Sequence, residues 1–371
     1  MKKQFLNIIF IASISAICLA WGNAGHYKIN NNAALSFNQE MMQFQQWAII
    51  LANKSSEADY RKGWDPNEAP RHYIDIDNYE EFITTGRIPQ TLDSAIMIHG
   101  SGFVYDQGIL PWATLKTFDS LTACFERMDW DNAVLFAADL GHYIADGHMP
   151  LHITRNYNGQ FTGNSGIHSR YESTMINAYN SQINYTGNQI EEIQDVSQYV
   201  FDYLYSNYTY VDSVIAADDY AKNLSGGSTS SSVYKQALWD KTKGFTTLLF
   251  KNASHSLAEM IYTSWLLAGS PQMSSSGIFD EVGFPTIQLE QNVPNPFSNS
   301  TSISFTIQEK SEIQLQVYNL AGKNVGTLID SQKEQGTHTV NWAPQNLPGG
   351  VYYLVLKSDD SQVTRKMVLM D

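Results

Sequence analysis

A chain of 371 residues, 43% hydrophobic and 16% charged, is long enough for one large core and a smaller second one, and too apolar to remain disordered. With 23 Lys and Arg against 37 Asp and Glu, the net charge is −14, and no basic cluster stands out. Long-range attraction to nucleic acid or to an anionic membrane is therefore not encoded, and an anionic substrate has to be held by local groups such as metal ions.

The chain opens "MKKQFLNIIFIASISAICLA", with two lysines, a short apolar run and a small residue at Ala20. This predicts a secretory signal over residues 1–20, too short and wrongly flanked for a stable membrane span. Bulky Ile17 argues against lipid attachment at Cys18. Cleavage after Ala20 leaves Cys124 as the single cysteine, so no internal disulfide is expected. No later run is apolar enough to be a transmembrane segment.

Residues 21–270 read as mostly helical. "WDNAVLFAADLGHYIAD" (130–146), "SQYVFDYLYSNY" and "SSVYKQALWDKTKGFTTLLF" have helical apolar spacing. "SHSLAEMIYTSWLLAG" (254–269) predicts a last helix stopped by Gly269 and Pro271, and "NLSGGSTSSSVY" a polar loop between two of these helices. A polar linker is expected over 271–286. From 287 to 371 short alternating runs take over: "STSISFTI", "IQLQVYNL", "HTVNWA", "GVYYLVLKS" and "TRKMVLMD", separated by turn residues. They predict a small C-terminal β-sandwich.

The densest chemistry lies in "GHYIADGHMPLH" (141–152), in a chain with nine histidines altogether. On a helix, His142 and Asp146 share one face; Pro150 ends that helix and turns His152 elsewhere. "HSRYES" repeats the spacing with His168 and Glu172. Zinc takes imidazole nitrogen and carboxylate oxygen, and i,i+4 pairs supply two such ligands from one rigid face. Upstream stand His26 in "WGNAGH", Asp59 in "EADYRKG" and His72 in "RHYIDID". His148 and His99 have no place in the pattern; His255 and His338 read as ordinary helix and sheet residues.

The order Trp21, His26, Asp59, His72, His142, Asp146, His152, His168, Glu172 resembles that of the zinc-dependent phospholipase C and P-one/S-one nuclease superfamily, across nearly all of residues 21–270. The resemblance implies a mainly α catalytic domain with a trinuclear zinc site. Asp59, His72, His142 and Asp146 would hold the first ion, and His152, His168 and Glu172 the second. The third would be held by His26, a second oxygen of bridging Asp146, and the free α-amino group and carbonyl of Trp21. This requires Trp21 to be the first mature residue, where the signal reading cuts the chain.

Such a site suits phosphodiester cleavage, with Asp59 orienting or deprotonating the attacking water and no protein nucleophile. "WGNAGH" and Lys62, three residues after Asp59, are similar to the nucleases. The short gap from His152 to His168, Glu172 in place of an aspartate, and Tyr60 at one choline-pocket position are similar to phospholipase C. The other two pocket positions carry Ala24 and Ala69, which argues against a choline preference. Tyr73, Tyr105, Tyr143 and Tyr157 are candidates for base stacking against a reading as plain packing residues. A phospholipase C-like hydrolase ranks first and a single-strand-specific nuclease second. A zinc-stabilised surface-binding protein without turnover ranks third, because the second set has three ligands and leaves a position open. A monomer is expected.

"LEQNVPNPFSNSTSISFTI" with the closing "GGVYYLVLKS" resembles the type A C-terminal sorting domain of the type IX secretion system of Bacteroidetes-like bacteria. It implies that system's machinery as a partner and a secreted or cell-surface protein.

Overall fold

The computed structural model describes residues 21–273, 287–307, 310–319, 323–344, 347–358 and 362–370. The predicted signal segment 1–20 and residues 274–286 of the predicted linker lie outside the described residues. The chain divides into two compact units, Met1–Met273 and Ser274–Asp371.

The first unit is helical: α1 (Gly22–Ala33), α2 (Trp47–Lys54), α3 (Glu57–Arg61), α4 (Glu80–Thr85), α5 (Leu92–His99), α6 (Ser101–Asp106), α7 (Leu110–Glu126), α8 (Trp130–Gly147), α9 (Ile167–Ser169), α10 (Ile176–Tyr179), α11 (Val196–Tyr208), α12 (Val211–Leu224) and α13 (Ser232–Leu267). A π-helical turn, Arg170–Met175, joins α9 to α10. The termini follow local chemistry. Asp129 caps α8 by accepting from Asn132 N, and Ser231 caps α13 by accepting from Tyr234 N; each such cap contributes about 1 kcal/mol. Pro111 sits in the first turn of α7, where its missing N–H costs nothing.

The last helix expected over 254–269 is instead the second half of α13. Its 36 residues run unbroken because Lys251, Asn252 and Ala253 contain neither proline nor glycine to interrupt them. Helix α8 likewise stops at Gly147, before Pro150. A short 3₁₀ turn, Pro150–His152, then redirects the chain. Helices α1, α2, α7 and α13 surround α8, whose C-terminal half, from Leu140 to Gly147, is buried all round. That is where its apolar periodicity gives way to His142 and Asp146. Cys124 is buried and forms no disulfide.

The second unit is antiparallel. Strands β1 (Ile287–Leu289), β2 (Thr301–Ile307) and β5 (Gly336–Trp342) form one sheet in the order β1-β2-β5. Strands β3 (Ser311–Asn319), β4 (Asn324–Lys333), β6 (Gly350–Lys357) and β7 (Gln362–Leu369) form the other in the order β4-β3-β6-β7. Ile303, Phe305 and Ile307 of β2 meet Leu315, Val317, Leu354 and Leu356 in one core, as the period-2 alternation predicts. The sequence does not announce β4. It is an edge strand on which Ile329 is the one buried residue, so no alternation marks it.

Candidate metal centre

Four segments of the helical unit deliver buried acids and imidazoles to one place. His26 comes from α1, Asp59 from α3, His72 from the turn Ala69–His72, and His142 and Asp146 from α8. Helices α1 and α8 approach closely because residue 141 is glycine: a Cβ there would overlap Asn30 Oδ1 and Leu257. This close approach stacks the His26 and His142 rings 3.9 Å apart at 5°.

The first group is Asp59, His72, His142 and Asp146. His72 Nδ1 lies 3.0 Å from Asp146 Oδ2 and from His142 Nε2, and 3.8 Å from Asp59 Oδ1. His142 Nε2 lies 3.3 Å from Asp146 Oδ2 and 3.7 Å from Asp59 Oδ1. The second group is His152, His168 and Glu172, with edges of 3.2 Å between the two Nε2 atoms and 3.1 and 3.6 Å to Glu172 Oε2. Beside the first, His26 Nε2 lies 3.5 Å from Asp146 Oδ1. The two oxygens of Asp146 thus face different groups.

Anchoring on the far side shows which nitrogens are available. Nδ1 of His142, His152 and His168 donates to the carbonyls of Ser55 (2.6 Å), His72 (2.6 Å) and Tyr157 (3.1 Å). A neutral ring has one N–H, so each Nε2 is left with a lone pair aimed inward. The Nε2 atoms of His152 and His168 face one another across 3.2 Å, beside a Glu172 Oε2 that accepts no hydrogen bond. Oδ2 of Asp59, Oδ1 of Asp146 and both nitrogens of His26 also have no hydrogen-bond partner, although all are buried. Convergent, partnerless acceptors are costly unless a cation sits among them. The donors fit zinc: ligands at about 2.0–2.2 Å in a tetrahedron stand about 3.3–3.6 Å apart, close to the edges above.

Charge behaves accordingly. Burial, reinforced by His142, lowers His26 to about 3. Burial opposes protonation of His142 as well, but Asp146 and Asp59 outweigh it and raise that ring to about 9. Without a metal, a proton on His142 stands where a cation would. Asp146, Glu172 and Asp59 are all held below the usual carboxylate range: burial opposes this, and the facing histidines overcome it. Lys62 adds to the effect at Asp59, its Nζ 2.5 Å from Oδ1.

Trp21 is fully buried between Tyr171 and Phe250, and its indole N–H donates to Ala145 O at 2.7 Å, one residue before Asp146. Tyr60 is 56% exposed. Of the tyrosines considered for stacking, Tyr143 is buried and donates to Glu68, so it is a core residue, whereas Tyr157 is exposed with its ring 6.0 Å from that of His168. His148 caps α8, buried against Tyr203, and burial lowers it to about 4. His99 pairs with Glu81 and His255 with Glu259.

Sequence reasoning missed Glu68 and Asp75. Glu68 stands four residues before His72, the same spacing as His142 and Asp146, but Pro70 between them hides the pattern. Burial, with the Asp77 charge, raises Asp75 to about 7. An acid raised in this way is protonated when folded and ionised when unfolded between about pH 4 and 7, so its cost to stability grows over that window and is complete above it. Asp75→Asn should therefore stabilise chelator-treated protein at pH 8 by about 1–2 kcal/mol after solvent screening, about 2–8 °C in Tm, and much less at pH 5. An equal gain at both pH values would contradict this.

Residues 293–370 match the family described as the secretion system C-terminal sorting domain. The match marks the protein for type IX secretion to the cell surface or extracellular space. A comparison with curated proteins gives no match. Among solved structures, the alpha toxin from Clostridium absonum is similar at a TM-score of 0.43 and 10% identity, over 94% of this chain and 98% of that one. The alpha-toxin of Clostridium perfringens from an avian strain is similar at 0.40 and 11%, over 93% and 96%. Among the described residues no helix is long and apolar enough to cross a membrane.

Proposed function

We propose that the helical unit is a zinc-dependent hydrolase of phosphoric esters, carried by a secreted protein whose C-terminal unit is its export signal. The observation that carries this reading is the set of buried, inward-facing nitrogen and carboxylate atoms without hydrogen-bond partners around His26, Asp59, Asp146 and Glu172. Asp59, His72, His142 and Asp146 would hold one ion, and His152, His168 and Glu172 a second. His26, Asp146 Oδ1 and the freed amine and carbonyl of Trp21 would hold a third. Bound zinc lowers the pKa of water toward about 7 and neutralises phosphoryl charge.

The chain's own groups do the rest. Asp59 is kept ionised by His142, His26 and Lys62, so a carboxylate oxygen stays available to orient the attacking water and take its proton. Lys62 Nζ, held 2.5 Å from that carboxylate, provides a local positive charge for a phosphate oxygen in a chain of net charge −14. Tyr60 stands exposed one residue from Asp59, where a substrate's head or leaving group would lie. Three donors at His152, His168 and Glu172 leave a coordination position open, which supports turnover over a purely structural metal.

A phospholipid-type diester is the preferred substrate. A chain of net charge −14 with no basic cluster is poorly suited to a long polyanion, whose binding depends on basic side chains displacing counterions. A single-strand-specific nuclease is the second reading, favoured by Lys62 and by exposed Tyr157 beside His168. Assaying mature protein on a lipid-type phosphodiester and on single-stranded DNA separates them. Faster lipid hydrolysis, with little preference for choline because Ala24 and Ala69 offer no charged or aromatic wall, is expected. Efficient DNA cleavage with negligible lipid hydrolysis would promote the nuclease.

A further inference from the structure

His72 is held the other way round from its neighbours. His142, His152 and His168 are anchored through Nδ1 to backbone carbonyls and present Nε2. His72 instead turns Nδ1 to Asp146; its Nε2 makes no hydrogen bond and lies at ion-pair distance, 3.4 Å, from Glu68 Oε1. Glu68 is fully buried and firmly fixed. Arg61 Nε and Arg71 Nη1 each donate to its Oε2 at 3.2 Å, and the Tyr143 hydroxyl donates to its Oε1.

These contacts also bind together the segments that bring in the first group. Arg61 is two residues past Asp59 on α3 and pairs with Asp139 of α8 at 2.9 Å. Tyr143 follows His142, and Arg71 precedes His72. We propose that Glu68 is a positioning residue of the first metal group: its carboxylate takes the Nε2–H of His72, fixes Nδ1 as the ligand atom, and adds negative charge that tightens cation binding at that group alone. The inference rests on the metal-centre reading above.

A carboxylate behind a ligating imidazole fixes its tautomer and raises its basicity, and its loss costs about 10–100-fold in metal affinity. Zinc titration of the full mature protein against a competing chelator, with histidine ring nitrogen shifts reporting which group fills, tests this. Glu68→Gln keeps the size and one accepting oxygen but removes the charge. It should weaken the ion at His72 and His142 by about 10–100-fold and leave that at His152 and His168 within about threefold. Glu68→Asp, which restores the charge, should recover part of the loss.

The same spectra of the zinc-loaded native protein provide a check that does not depend on a variant folding. His72 should carry its proton on Nε2, whereas His142, His152 and His168 carry theirs on Nδ1. Unchanged first-group affinity in Glu68→Gln, equal losses at both groups, or a His72 proton on Nδ1 would overturn the role of Glu68 with zinc binding intact. Failure of the native protein to bind zinc at all would instead remove the metal centre itself, and this inference with it.

Discussion

Asp146→Asn is expected to strip two ions from the protein and to reduce phosphoester hydrolysis by about 10³-fold or more. One oxygen of Asp146 faces His72 and His142 at 3.0 and 3.3 Å, and the other faces His26 at 3.5 Å. An amide keeps the shape but removes the charge that both positions share. A metal's electrostatic contribution to such a reaction is several kcal/mol, and each 1.36 kcal/mol is tenfold in rate. Glu172→Gln touches a group of its own and should cost one ion, that of His152 and His168. Metal analysis of the two purified variants checks the contrast. Single-ion losses in both would show that Asp146 does not bridge.

Truncation after Met273 should leave a folded, zinc-loaded and active helical unit that stays in the periplasm. The unit has its own core, running from Trp21 through Phe125, Ile144 and Phe201 to Trp265, and every candidate ligand lies at or before residue 172. The residues matched by the sorting domain, 293–370, are all removed. Fractionation of cells expressing the full and truncated chains, with hydrolysis measured in each fraction, reads both effects. Truncated protein that reached the medium normally but had lost activity would make the tail a working part of the catalyst.

The helical unit and the clustering of the candidate ligands were largely legible in the sequence, for a physical reason. A buried imidazole or carboxylate is expensive, so several at helical spacing in an apolar stretch signal a shared purpose. "GHYIADGHMPLH" and "HSRYES" hold six imidazoles and carboxylates, and the structure brings His142 to 3.3 Å from Asp146, and His168 to 3.2 Å from His152 and 3.1 Å from Glu172. What periodicity could not show was continuity and support. Helix α13 passes through Lys251–Ala253 because nothing there breaks it, yet a polar interval in sequence resembles a loop. Glu68, Arg61 and Asp139 look like surface charges, since their partners Tyr143 and His72 are distant in sequence or hidden behind Pro70. Gly141 reads as a poor helix former; only the approach of Asn30 explains it. In the second unit, β4 was invisible because Ile329 is its one buried residue, so no period-2 alternation marks it.

The most direct test of a zinc centre completed by the chain's own mature terminus is zinc stoichiometry, measured on protein beginning at Trp21 and on the same protein with one residue added before it. The account predicts about three ions per chain in the first and selective loss of one in the second, with hydrolysis falling in parallel, because an acylated nitrogen cannot ligate. Fewer than two ions in the native mature form, or full occupancy and activity with the terminus blocked, would contradict it.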